Sequence, residues 1–230
     1  MTTFLITGCN RGIGLELARQ AAGRGDHVIA TCRDLPAATH LHALGAAHPA
    51  LVTLQALDVI DPVSIAIAKT AIGLRQIDVV INNAGIIGPA RQSTLDMDFD
   101  GFARTLVVNT LAPLRIAQAF LPNLRVAANG KIATITSGMG SMSYAKSDRI
   151  AYRAAKAALN KVMQGLAGDL KPLGVAVLLL HPGWVRTDMG GAGASISASD
   201  SAAGILAQVD ALTLARSGGF VDYAGKTMPW

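Results

Sequence analysis

Six times along the chain a short run of aliphatic and β-branched residues gives way to a longer stretch with helical rhythm. That alternation constrains the fold more than any other feature. The runs are TFLIT (3–7), HVIATC (27–32), LVTLQAL (51–57), IDVVIN (77–82), KIATIT (131–136) and VAVLLLHP (175–182), with a seventh at GGFVDY (218–223). Helical stretches cover 13–24, 36–47, 62–73, 98–126, 149–171 and 198–215. Most runs are apolar throughout rather than alternating, which requires burial on both faces of the strand. Strands separated by helices pair in parallel through right-handed crossovers. The expectation is therefore an α/β chain: a single-domain Rossmann fold over residues 1–230, with a doubly wound parallel sheet of about seven strands and helices on both faces. The Gly-, Ala- and Ser-rich segment 190–202 leaves too little chain after it for a second core and reads as a mobile loop near a site.

Composition narrows the function classes. Half the residues are apolar (51%), only 15% are charged and 4% are aromatic, which suits aliphatic helices packed tightly on a sheet. The net charge is +5, but the basic residues are scattered. No stripe of Lys and Arg interleaved with stacking aromatics is present, so no nucleic-acid partner is expected. Cys9 and Cys32 lack metal-ligand spacing and read as free thiols, and none of the five histidines pairs with a Cys or carboxylate at ligand spacing, so no metal site is expected. The N-terminus has no basic segment followed by a long apolar run, and no apolar stretch is long enough to span a bilayer; the expected location is the cytoplasm, with no membrane contact.

The first run ends in TGCNRGIG (7–14), where a helix begins. Exposed N–H groups and the positive end of that helix form an anion site. Gly8 and Gly12 allow a sharp turn and a close approach to a pyrophosphate, and Gly14 allows helix and strand to pack closely. This is the pattern of a dinucleotide site, at G-x3-G-x-G spacing. The second run ends Cys32-Arg33-Asp34. An acid there would bind the ribose 2′-hydroxyl of NAD, whereas a cation would accommodate a 2′-phosphate. Cys32 stands at the acid's place and Arg33 follows, while Arg11 can approach from the glycine loop. Two guanidiniums match a phosphate dianion, so NADP(H) is the expected cofactor, with NAD(H), held through Asp34, as the alternative.

TGCNRGIG, NNAG (82–85) and YRAAK (152–156), in this order, resemble the short-chain dehydrogenase/reductase family across essentially the whole chain. The stretch LHPGWVRTDMGG (180–191) and the tail GGFVDYAGKTMPW resemble its sniffer-type carbonyl reductase and C-factor branch. The resemblance implies cofactor contacts from Thr7, Gly8, Asn10, Arg11, Gly12, Ile13 and Gly14, from Asp58 and Val59 at the adenine, and from Asn83, Ala84 and Gly85 beside the adenosine ribose. It implies further contacts from Pro182, Gly183, Val185 and Thr187 at the nicotinamide, together with Tyr152 and Lys156. It also implies a catalytic set of Asn109, Ser137, Tyr152 and Lys156. Ser137 precedes Tyr152 by a longer interval than is usual in the family, and Ser141 is the nearer alternative.

Tyr152 and Lys156 lie four residues apart and so share one helix face. A phenol of ordinary pKa near ~10 is a poor acid–base group at neutral pH; the Lys156 ammonium and a positive nicotinamide ring are expected to lower it. Tyr152 would then protonate a carbonyl oxygen as hydride arrives, with Ser137 holding that oxygen. The resemblance adds Lys156 on the ribose hydroxyls and Asn109 positioning a water towards Lys156. The expected activity is NADP(H)-dependent reduction of a small carbonyl compound, or oxidation of the alcohol. The alternative is a dinucleotide-binding signalling protein of C-factor type with little turnover. The long helices at 98–126 and 149–171, with the family's habit, imply a homodimer or homotetramer.

Overall fold

The computed structural model describes all 230 residues. In chain order the elements are β1 (Thr3–Thr7), α1 (Gly12–Gly23), β2 (His27–Cys32), α2 (Thr39–Ala47), β3 (Val52–Ala56), α3 (Pro62–Ile72), β4 (Val79–Asn82), β5 (Gln92–Ser93), β6 (Asp96–Met97), α4 (Phe99–Leu106), α5 (Ala112–Arg125), β7 (Lys131–Ile135), α6 (Ile150–Leu170), β8 (Ala176–His181), α7 (Ala198–Asp210) and β9 (Gly219–Asp222). Seven strands form one sheet in the order β3-β2-β1-β4-β7-β8-β9, and every pairing in it is parallel. The doubly wound α/β sheet is thus as expected.

The uniformly apolar strands follow from this architecture. Successive side chains of a strand point to opposite faces, and here each face meets helices. Phe4, Ile6, Val28, Ala30, Val79, Ile81, Leu178 and Leu180 join the core under α1, α2 and α7. Their neighbours Leu5, Ile29, Val80, Val177 and Leu179 join the core under α3, α5 and α6. Both faces of the central strands are therefore buried, whereas the edge strand β3 keeps Thr53 exposed and Gln55 half-buried.

Helix boundaries follow local chemistry. Asp61 caps α3 by accepting from the N–H groups of Val63 and Ser64, with Pro62 at the first helical position. Asp98 caps α4 through the Gly101 N–H. The C-terminus of α7 receives the Lys131 ammonium, which donates to the carbonyls of Val209 (2.8 Å) and Asp210 (3.0 Å). A cation there satisfies orphan carbonyls and the negative helix end. The helix stops at Asp210 rather than running to 215, and a short 3₁₀ turn over Leu214–Arg216 follows.

Two features differ from the sequence reading. The 98–126 stretch is not one α-helix: Val107–Leu111 form a π-helical segment between α4 and α5, closed by the Ala112 N–H donating to the Val107 carbonyl. Pro113 has no N–H to give the Asn109 carbonyl, so the α ladder fails there and the wider turn is the local solution. The β5–β6 hairpin was not expected, because each strand is only two residues long.

Phe120 lies on α5, fully buried in the core on that side of the sheet. Phe120→Ala is expected to destabilise the protein by ~3–5 kcal/mol through lost burial and the cavity left behind, read as a lowered midpoint in urea denaturation.

Candidate active site

The sheet order reverses between β1 and β4: β1 leads outward to β2 and β3, and β4 leads the other way to β7 and β8. In such sheets the crevice beyond the C-terminal strand ends at this point is where ligands bind. A set of hydrogen bonds holds the two sides of the crevice together. The Thr7 hydroxyl accepts from the N–H groups of Asn83 (3.0 Å) and Ala84 (3.1 Å). The Asn83 carboxamide donates back to the carbonyls of Thr7 (2.8 Å) and Gly8 (3.1 Å). A Cβ on Gly14 would lie 2.3 Å from the Gly8 oxygen and 2.4 Å from Asn83 Nδ2. The glycine is required because α1 presses directly on this junction.

No side chain caps the N-terminus of α1 at Arg11, so its first N–H groups face the glycine loop without a local acceptor. Thr187 packs over the loop, with its methyl 3.3 Å from the position of a Cβ on Gly12. Thus Pro182–Thr187 and Gly8–Gly14 meet as walls of one groove. The Pro182 carbonyl is anchored by the Ser201 hydroxyl of α7 (2.7 Å). Val185 pairs with Ile196 in an isolated bridge that closes the base of the 186–195 loop. Asp58 and Val59 follow β3, where the Asp58 carboxylate accepts from the Ile60 N–H (3.1 Å).

The two cations expected at a 2′-phosphate are not drawn together by the protein alone. Arg11 pairs with Asp188 of the loop after β8, both side chains being exposed. Arg33 stands exposed beyond β2 without an ion-pair partner. The Asp34 carboxylate accepts from the Ala37 N–H (3.3 Å), closing the turn that leads into α2.

Across the crevice, α6 carries Tyr152 and Lys156, which are 8% and 5% exposed. The 3₁₀ turn Gly138–Gly140 after β7 lies flat on this helix. A Cβ on Gly140 would come 2.8 Å from the Lys156 carbonyl carbon, so only glycine permits the contact. That approach sets Ser137 against α6. The Ser137 hydroxyl accepts from the Met139 N–H (3.1 Å) and lies near enough to the Tyr152 phenol to favour its ionised form. The alternative, Ser141, is engaged elsewhere: its hydroxyl donates to the Trp230 carbonyl (3.1 Å).

Lys156 donates to the Ile135 carbonyl (2.9 Å), and its ammonium lies 5.8 Å from the centre of the Tyr152 ring. Asn109, inside the π segment, is fully buried. Its carboxamide accepts from the Ile86 N–H (2.9 Å) and donates to the Ile86 carbonyl (2.8 Å). The Asn109 Oδ1 and the Lys156 ammonium both flank Gly85, 3.2 and 3.9 Å from where its Cβ would be. Next to Asn109, Thr110 donates to the Ala155 carbonyl (2.8 Å), so the irregular turn is bonded to the loop after β4 and to α6 at once. π segments recur at functional sites because they re-aim side chains in this way.

The phenol's electrostatics differ from expectation. Burial pushes the Tyr152 pKa up, while the nearby Ser137 hydroxyl and the charge of Arg149 pull it back. Lys156 does not enter that balance, since its ammonium is directed at a backbone carbonyl and lies over the ring rather than at the hydroxyl. Lys156 itself is lowered by burial from 10.5 to about 8.

Gln92 is a member of the site with no motif to signal it. Its side chain is buried; it accepts from the Tyr152 N–H (3.1 Å) and donates to the carbonyls of Ile87 (3.2 Å) and Pro89 (2.8 Å). Arg149 at the N-terminus of α6 provides no side-chain cap, so one from sixty positions away supplies it.

Residues 2–195 match the family model described as short chain dehydrogenase. C-signal of Myxococcus xanthus is 46% identical over 156 residues, covering 67% of this chain and 93% of that protein. Among solved structures, an NADPH-bound carbonyl reductase from chicken fatty liver superposes with a TM-score of 0.93 at 33% identity, over 100% of this chain and 99% of that one. The carbonyl reductase Sniffer of D. melanogaster does so with a TM-score of 0.91 at 32% identity, over all of both chains.

Burial of the Lys156 ammonium has a cost that pH can relieve. Its folded pKa of about 8 lies below the unfolded 10.5, so between these values the unfolded chain binds more protons and stability rises with pH. Below about 8 both states are protonated and the full cost remains. Lys156→Met is expected to stabilise the ligand-free protein at pH 7 by up to ~3 kcal/mol, with the gain shrinking as pH rises towards 10.5, as read by thermal melts across that range.

Proposed function

Because the chain belongs to the short-chain dehydrogenase family, we propose that it is an NADP(H)-dependent carbonyl reductase whose reacting groups are Ser137, Tyr152 and Lys156. The observation that carries this reading is the convergence of the three. The Ser137 turn lies on the helix that bears Tyr152 and Lys156, at the strand ends beside Gly85. The resemblance in fold to an NADPH-bound carbonyl reductase supports the cofactor and the substrate class.

The groove fits a dinucleotide. Uncapped N–H groups of α1 and the glycine loop suit a pyrophosphate, Thr187 closes over Gly12, and the absence of a side chain at Gly85 leaves room beside Lys156 and Asn109. Gly8, Asn10, Gly12, Ile13 and Gly14 would hold the phosphates, Asp58 and Val59 the adenine, Asn83–Gly85 the adenosine ribose, and Pro182, Gly183, Val185 and Thr187 the nicotinamide. Arg33, free of a carboxylate partner, would take the 2′-phosphate together with Arg11 once Arg11 leaves Asp188. When bound, NADPH supplies the hydride.

The protein's own groups manage the proton and the developing charge. Ser137 donates a hydrogen bond to the substrate carbonyl oxygen and Tyr152 delivers its hydroxyl proton to that oxygen, forming the alcohol. The tyrosinate left behind is stabilised by the charge of Arg149. With a pKa of about 8, Lys156 can release a proton near neutral pH to restore the phenol. Asn109, locked to Ile86 at both ends of its carboxamide, is rigid enough to position the water that recharges Lys156. A homo-oligomer in the cytoplasm is part of the same proposal.

A second reading is favoured by the 46% identity to C-signal: a protein that binds the dinucleotide and signals by its occupancy. Kinetics separate the two. Tyr152→Phe is expected to lower turnover of aldehydes at least ~10³-fold, removing the proton donor, while NADPH affinity by fluorescence titration stays within about twofold. In parallel, Arg33→Ala is expected to weaken NADPH at least ~10-fold and leave NADH unchanged, since one charge-assisted phosphate contact accounts for a loss of that order. Tight NADPH binding with no turnover of any carbonyl by the unmodified protein would favour signalling.

A further inference from the structure

Beside Tyr152, and outside the groove assigned to the cofactor, lies an open cleft of about 680 Å³. One wall is the segment 87–93 with Asp96; the other is Ser147, Asp148 and Arg149, immediately before α6. The walls are built rather than loose, because buried Gln92 ties the carbonyls of Ile87 and Pro89 to the N–H of Tyr152 itself. The cleft is thus registered to the helix turn that presents the phenol.

Among the charged residues that line it, Arg91 is paired with Asp96 (3.0 Å), and Asp148 is paired with Arg153 (2.7 Å), which lies outside the lining. Arg149 alone among them forms no salt bridge, so its guanidinium is open to a ligand. It is also the only non-glycine residue in the chain with a positive φ, at φ 53°, ψ 47°. Residues held in that conformation cluster at sites of function. Arg149 lies three positions before Tyr152, and its charge is felt at the phenol. A ligand group held by Arg149 therefore sits within electrostatic reach of the reacting oxygen.

We propose that this cleft is a subsite for a carboxylate carried by the carbonyl substrate, recognised by the Arg149 guanidinium. A guanidinium offers two parallel donors to a carboxylate, and the one charged lining residue left without a salt bridge is this cation. The proposal rests on carbonyl reduction at Tyr152 and adds to it the class of substrate: an aldehyde or ketone bearing a carboxylate, rather than a neutral one.

The test compares 4-carboxybenzaldehyde with methyl 4-formylbenzoate, using NADPH and the unmodified protein, Arg149→Gly and Arg149→Lys. Glycine adopts the left-handed conformation without strain, so it removes the charge and leaves the backbone intact. Arg149→Gly is expected to raise KM for the carboxylate at least tenfold relative to the ester, with any loss of turnover shared by both aldehydes, and Arg149→Lys to keep most of the preference. Equal changes in the two KM values, or none in either, would overturn the subsite while leaving the reductase. Calorimetric titration of benzoate into the NADPH-loaded protein reads the subsite without turnover. Benzoate binding weakened tenfold by Arg149→Gly supports it even if neither aldehyde reacts, an outcome that would sink carbonyl reduction alone. Benzoate that binds both proteins alike, or neither, counts against the subsite.

Discussion

The junction of β1 with β4 is the constraint on which the rest of the molecule depends. Four hydrogen bonds made by the Thr7 hydroxyl and the Asn83 carboxamide cross it, joining Thr7 and Gly8 to Asn83 and Ala84, and the Gly14 backbone packs where any side chain would strike Gly8 and Asn83. Parallel strands diverge at a point of sheet reversal, and backbone groups at their ends have no ladder partner. Here two side chains satisfy those groups. The phosphate-binding loop is thereby held against the loop that carries Gly85, so one rigid seam positions both halves of the groove.

Everything on the far side of that seam is bonded to α6. The Ser137 turn rests on it through Gly140, the π segment reaches it through Thr110, and the 87–92 loop reaches it through Gln92. Such convergence fixes Tyr152 without recourse to its own side chain, which leaves the hydroxyl free to react. The arrangement carries a stability cost. An ammonium and a phenol are both taken out of water, and burial shifts each against its ionised form. For Lys156 the displacement brings its pKa to about 8, near the pH at which proton exchange is readiest.

The sheet was legible because its signal is redundant. The central strands have two buried faces, so successive residues repeat the same apolar message, and observed ends lie within about two residues of those read from sequence. The π segment was not legible: Pro113, inside the stretch read as one helix over 98–126, signals a broken ladder but not the wider turn that repairs it. The short β5–β6 hairpin had no period long enough to detect. Within the site, the glycine loop and the Tyr152–Lys156 pair could be read from spacing. Gln92 could not: a glutamine between a loop and a two-residue strand has no distinguishing context until α6 is folded against it.

The amino-acid sequence by itself determined the parallel sheet, the position of the phosphate-binding turn and the helix face that presents a phenol and an ammonium together. These depend on periodicity and short spacings, which the local chain enforces. Only the tertiary structure decided what those groups do to one another. It turned Lys156 towards Ile135 rather than the phenol, committed the Ser141 hydroxyl to Trp230, paired Arg11 with Asp188 and left Arg149 as the unpaired cation beside Tyr152. Each outcome is a competition among partners distant in sequence. Such competitions are settled by distance and desolvation once the elements are packed, and neither quantity is encoded in spacing along the chain.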